Sequence, residues 1–285
     1  MSRLPDTLAA RLAAARTRRR DDDRDRRRRP LEPLPGMRVR SGDQVLHNFS
    51  SNDYLGLAAA PAHGVAGSGA SALVTGYQPV HRALERALAD WLGREAVILT
   101  SSGYLANLAV LTALAGRNDT VVQDRLCHAS LIDAARLSGA ALRRYAHADS
   151  AAAARRLADA SGHALLVTDG VFSMDGDAAP LDALVEAARE RGATLVVDDA
   201  HGIGVLGERG GGLCETAGLG PEDVPVLIGT LGKAFGSAGA FIAGSEALVA
   251  HLENHARSII YSTALAPAAA AAARDALPAV ADPAG

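Results

Sequence analysis

Six short apolar runs constrain the fold of this 285-residue chain more than any other feature. They cover residues 97–100, 120–122, 164–168, 194–198, 226–229 and 239–243, and they are continuous rather than alternating. Helical patterns fall between some of them, over about 104–115, 130–138 and 181–191. A strand that is apolar at every position is buried on both faces, so the pattern predicts a mostly parallel sheet wrapped by helices, an α/β class. Ligands of such sheets bind at the carboxyl ends of the strands. Asp169, Asp198, His201 and Thr230 stand just past those ends. The chain shows no internal repeat.

Ahead of these runs, residues 2–29 read as one helix, with Leu4, Leu8 and Leu12 on one side. Its mixed arginine–aspartate run from Arg18 to Arg29 reads as a solvated, ion-paired face. Pro30, Pro33 and Pro35 then turn the chain into an extended linker. At 48% hydrophobic the sequence can bury a sizeable core, in one large domain or two modest ones. A formal net charge of −3 argues for neither nucleic acid nor a membrane surface as the main partner. Cys127 and Cys214 are too few and too scattered for a disulfide framework or a zinc site, and no metal is expected. The alanine-rich run 264–285 is interrupted by prolines and charges, too polar to span a membrane. The N-terminus lacks the apolar stretch of a signal peptide, so a cytoplasmic location is expected.

The chemistry gathers at five stretches. In Thr230-Leu231-Gly232-Lys233-Ala234-Phe235-Gly236 a lysine follows a buried strand and sits among small apolar residues. Burial lowers a lysine's pKa and frees its amine for Schiff-base chemistry. The stretch is not a Walker A loop, because the GxxxxGK[ST] spacing fails. Second, Asp198 ends a buried strand, a costly place for a carboxylate unless a positive group meets it. A protonated pyridine nitrogen is such a group. At about 4 Å and an effective dielectric near 20 the pair gains roughly 4 kcal/mol before desolvation. It keeps the ring an electron sink, and His201, three residues on, could reach a phenolic oxygen. The GxGxxG run 202–207 invites a dinucleotide reading, but it leads into Glu208-Arg209-Gly210-Gly211-Gly212, where no stable helix can open for a pyrophosphate. Third, the turn at Ser101–Asn107, with Gly103 and Tyr104, offers backbone donors for an anion. His128 could stack on a ring, and Ser173 lies beyond another strand end. Taken singly, each also fits an ordinary loop lysine, strand cap, polar turn or structural histidine.

Five longer motifs carry a resemblance: NFSSNDYLGL at 48–57, DRLCHASLIDAARLSGA at 124–140, TDGVFSMDGDAAPL at 168–181, VVDDAHGIGVLGERGGG at 196–212 and GTLGKAFGSAGAFI at 229–242. Over about residues 2–275 the sequence resembles the α-oxoamine synthases. These are pyridoxal-phosphate enzymes of fold type I that condense an amino acid with an acyl thioester and release carbon dioxide. The resemblance implies an aspartate-aminotransferase-like large domain. NFSSNDYLGL, GSGASALVTGY at 67–77 and IIYSTALAP at 259–267 favour the branch that joins L-alanine to a pimeloyl thioester, on coenzyme A or an acyl-carrier protein, in biotin synthesis. By resemblance, Lys233 is the Schiff-base lysine and Asp198 the partner of the pyridine nitrogen. His201 and Ser173 bond the phenolic oxygen, and His128 stacks on the ring. Gly103, Tyr104 and Thr230 hold the phosphate. Asn52 and an arginine near Arg26 meet substrate. Thr263 reaches the phosphate of the neighbouring subunit, because the family's site lies at a homodimer interface.

Two departures are visible. The segment between Pro61 and Gly67 is much shorter than the family's usual helix there, and the chain stops at Gly285, within the first helix of the C-terminal small domain that the resemblance implies. That domain, source of an arginine for the amino-acid carboxylate, is expected to be largely missing. The expected organisation is an N-terminal helix and linker over 1–45, a cofactor-binding domain over 46–265 and the start of the small domain over 266–285. A sister reaction with another amino acid or thioester, and a catalytically silent homologue, stay open at this point.

Overall fold

The computed structural model describes residues 7–61 and 63–282. The chain divides into two compact units, one up to Ser51 and one from Asn52 onward.

In the first unit α1 spans Leu8–Asp21, capped by the Thr7 hydroxyl, which accepts from the Ala10 N–H. The long helix expected over 2–29 therefore ends eight residues early, and residues 2–6, with Leu4, lie outside the described residues. The stop is a Schellman turn built on aspartates. Asp23 takes a left-handed φ of 53°, which aspartate tolerates better than most residues. The Arg24 N–H then reaches the Arg19 carbonyl at 2.7 Å and the Asp23 N–H reaches Arg20. The expected extended linker is also corrected. Glu32–Leu34 (β1), Arg38–Ser41 (β2) and Gln44–His47 (β3) form a three-stranded antiparallel sheet. Pro33 is accommodated because β1 is an edge strand, with no ladder partner to supply on its outer side.

The second unit holds a seven-stranded sheet: Ala96–Thr100 (β4), Thr120–Asp124 (β5), Ala141–Tyr145 (β6), Ala164–Asp169 (β7), Thr194–Asp198 (β8), Val226–Thr230 (β9) and Ala240–Gly244 (β10). Their order is β4-β10-β9-β8-β7-β5-β6, and only β10 runs antiparallel to its neighbours. Among the described residues nine α-helices accompany it: Pro79–Leu92 (α2), Gly103–Leu114 (α3), Ala129–Ser138 (α4), Ser150–Ala158 (α5), Leu181–Arg191 (α6), Leu213–Thr216 (α7), Glu246–His255 (α8), Arg257–Ile260 (α9) and Pro267–Val280 (α10).

The continuous apolar strands are explained by a core on each side of the sheet. Leu166, Leu195, Val197, Leu227 and Phe241 face one layer with Leu84 and Leu88 of α2 and Ala270 and Ala273 of α10. Their chain neighbours Leu165, Val167, Val196, Ile228 and Ile242 face the other, with Val110 and Leu111 of α3 and Leu131 of α4. Each fully buried Leu, Val, Ile or Phe among them contributes about 1.5–3 kcal/mol. As expected, no helix opens at 202–207. Ile203 bridges to Gly211, and the next helix is the short α7. No helix among the described residues is long and apolar enough to cross a membrane.

Candidate active site

A cavity of about 200 Å³ opens at the carboxyl ends of β7, β8 and β9. Lys233, Asp198, His201, His128, Gly103, Tyr104 and Thr230 all line it. The register explains two of these positions. Asp169 and Asp198 are paired residues at the ends of adjacent parallel strands, so two buried carboxylates are held side by side. Asn107 on α3 donates to Asp198 Oδ2 at 2.7 Å, and the Ala200 N–H donates to Oδ1 at 3.1 Å. Each oxygen of the Asp198 carboxylate is thus fixed by its own donor. Asp169 accepts a 3.2 Å bond from the His128 N–H and a bond from the Cys127 thiol. Burial, then repulsion from Asp198, pushes its carboxyl up to about 8.

Lys233 is the only lysine in the 285 residues. It lies in the turn after β9, and its Nζ is 2.8 Å from His201 Nε2. Burial pushes its pKa down, opposed by the fields of Asp198 and Asp169. His201 falls to about 4, through burial and then the charges of Lys233 and His128. The turn is pinned from behind: Gly236 has a φ of +62°, and a Cβ there would stand 2.3 Å from Ala58 N and Leu57 C.

At the other end of the cavity α3 begins. The Ser102 hydroxyl accepts from Leu105 N–H at 3.3 Å, and the first intrahelical bond runs from Ala106 N–H to Ser102 C=O. The N–H groups of Gly103 and Tyr104 precede that bond, where a helix leaves donors for an anion. His128 caps α4, its ring held 2.7 Å from the Ser130 hydroxyl.

The remaining expected residues are placed elsewhere. Ser173 lies in an exposed turn after β7 and does not line the cavity. Asn52 is exposed and reaches it only through Tyr54, whose hydroxyl is 3.4 Å from Asn52 Oδ1 and 2.6 Å from His201 Nδ1. Thr263 is exposed beside the start of α3, where its carbonyl accepts from the Ser101 hydroxyl at 2.8 Å. Arg26 belongs to the first unit, exposed between α1 and β1. Asn107, Ser130 and Asp169 also line the cavity, and of these the sequence marks only Asp169, without a role. Asp169 had a signal in the sequence, a carboxylate ending a buried strand as Asp198 does. Asn107 had none, since it is one polar residue on an apolar helix.

The cavity therefore joins a poised amine, a hydrogen-bonded carboxylate and a helix N-terminus. That donor set fits pyridoxal phosphate: an aldehyde for Lys233, a ring nitrogen for Asp198 and a phosphate for α3. The buried Asn107 Oδ1 makes no hydrogen bond to the described residues, which leaves a polar contact to be met in the cavity.

Known proteins agree with this reading. The family profile described as aminotransferase class I and II matches residues 44–280. The 8-amino-7-oxononanoate synthase of Alkalilimnicola ehrlichii is 60% identical over 80% of this chain and 61% of its own length. That of Stutzerimonas stutzeri is 54% identical over 93% and 69%. The chain thus spans about three fifths to two thirds of these relatives. A serine palmitoyltransferase from S. paucimobilis, solved with a bound PLP–myriocin aldimine, superposes with a TM-score of 0.88 at 27% identity, over 96% of this chain and 73% of that one. The 8-amino-7-oxononanoate synthase of Francisella tularensis gives 0.69 at 32% identity, over 81% and 68%. The chain belongs to the aminotransferase class I and II family and, within it, to the 8-amino-7-oxononanoate synthase group.

Proposed function

We propose that the chain serves the decarboxylative condensation of L-alanine with a pimeloyl thioester, on coenzyme A or an acyl-carrier protein, with pyridoxal 5′-phosphate as cofactor. The products are 8-amino-7-oxononanoate, carbon dioxide and the free thiol, a step of biotin biosynthesis in the cytoplasm. The observation that carries this is the convergence of the chain's only lysine and the Asn107-bonded Asp198 on one cavity, in a sequence 54–60% identical to such synthases.

When bound, the cofactor supplies an electron sink for negative charge at the amino-acid Cα. Lys233 is its attachment point. The burial that depresses the lysine's pKa would favour the free-base form of an amine able to take the Cα proton and return one. Asp198 keeps the ring nitrogen protonated. Asn107 and the Ala200 N–H hold that carboxylate in place. The N–H groups of Gly103 and Tyr104, with the Thr230 hydroxyl, take the phosphate. His128 covers the ring face, and His201 meets the phenolic oxygen, with Ser173 as its second partner. Asn52 and Arg26 are assigned to the substrate.

The same reading makes the chain a homodimer, with Thr263 serving the partner's phosphate. Leu73 and Val74 of the turn 72–76, together with Tyr261 at the end of the adjacent α9, remain exposed, an apolar surface suited to a second copy. Thiol release that depends on L-alanine and fails with glycine or serine tests the reaction. Equal rates with all three would refute the assigned specificity.

A further inference from the structure

We propose that Tyr54 is a positioning residue that keeps the proton of His201 on Nε2 and so presents a hydrogen-bond donor to the neutral amine of Lys233. The inference rests on Lys233 being the reactive amine of the function proposed above.

Three side chains form a line from the surface into the cavity. The Tyr54 hydroxyl is 2.6 Å from His201 Nδ1, and His201 Nε2 is 2.8 Å from Lys233 Nζ. The phenol has one proton and two candidate acceptors. Asn52 Oδ1, at 3.4 Å, is beyond the roughly 2.5–3.0 Å of an O–H···O bond, so the proton belongs on the short line to Nδ1. A neutral imidazole carries one proton for its two nitrogens. With Nδ1 accepting from the phenol, that proton is on Nε2, aimed at Lys233.

The lysine end fits the same polarity. Among the described residues no carboxylate lies within ion-pair distance of Lys233. Asp198 and Asp169 act on it through space, and its hydrogen-bond partner is the ring. An ammonium has only donors to offer, whereas an amine can accept from Nε2–H. The charged and titratable groups facing the pair are His128 toward His201, Asp198 and Asp169 toward Lys233, and Tyr54 itself.

The line also conserves protons when the lysine is charged. Lys233 gains the Nε2 proton, Nδ1 gains the phenol proton, and the phenol, which is 41% exposed, regains one from water. One proton has entered, and only the ammonium is charged at the end.

The test uses the cofactor-free protein. Because Lys233 is the only lysine, the rate of its acylation by an amine-selective reagent, read by peptide mass against pH, reports its titration without overlap. Tyr54→Phe removes one hydroxyl from a part-exposed ring. It should raise the midpoint by about half to one pH unit, the worth of one neutral hydrogen bond. In 15N-histidine spectra of the wild type, His201 should show a bare Nδ1 and a protonated Nε2. An unmoved midpoint in Tyr54→Phe, or a wild-type ring protonated on Nδ1, overturns the inference. Failure of the wild type to turn yellow with pyridoxal phosphate instead sinks the cofactor reading, and the ring spectra still judge Tyr54.

Discussion

The buried aspartates of the second unit are not equivalent. Asp198 and Asp169 sit side by side, but burial and repulsion from Asp198 push the Asp169 carboxyl up to about 8, while Asp198 accepts from Asn107 on one oxygen and from the Ala200 N–H on the other. Replacing Asp198 with Asn should therefore weaken pyridoxal-phosphate binding at least tenfold in a visible-absorbance titration, whereas loss of the band is complete in Lys233→Ala. Asp199, beside them, is fully buried. It is enclosed so tightly that a Cβ at Gly170, Gly202 or Gly212 would meet it within 2.4 Å. Burial holds its pKa up at about 7, above the roughly 3.9 of an unfolded aspartate. Between about pH 4 and 7 the folded chain keeps a proton that the unfolded chain has released, so this group makes unfolding easier as pH rises through that window. Asp199→Asn removes the titration. Its stability advantage over wild type should grow from near zero at pH 4 to a few kcal/mol at pH 8 in urea melts, and a difference constant across that range would contradict the assignment. Sequence reading reached Asp198, His201 and Lys233 because a polar group at the end of an apolar strand is conspicuous. It missed Asn107 and Tyr54, whose roles depend on contacts 91 and 147 residues away.

At the element scale the interior strands were legible because both faces are covered, which makes them apolar throughout. The edge strand β6 escaped notice for the complementary reason. Its Ala141-Leu142-Arg143-Arg144-Tyr145 is part exposed, and charge on an edge guards against unwanted pairing. The end of α1 was missed because the usual sign of such a turn is glycine, and here Asp23 fills the place. Two elements aim the cavity, and each can be tested. Ser102→Ala removes the cap of α3 and should cost about 1 kcal/mol in chemical denaturation, with weaker phosphate binding. Gly236→Ala adds a Cβ where φ is +62° and the backbone of Leu57 and Ala58 is 2.3 Å away. It should destabilise the second unit by about 1–3 kcal/mol and lower the affinity for cofactor, since the turn it strains carries Lys233.

For the whole molecule, the proposed homodimer would set Thr263 and the exposed Leu73, Val74 and Tyr261 of the second unit against a second copy. Sedimentation should give a dimer that dissociates on dilution, with the visible band fading over the same concentration range. Lys233 is proposed as the amine that carries the cofactor, and as the single lysine it can be checked without ambiguity. Incubation with pyridoxal phosphate, reduction with borohydride and peptide mapping should place one pyridoxyl group on the peptide containing Lys233. An unmodified Lys233, or a label confined to the N-terminal amine, would contradict it.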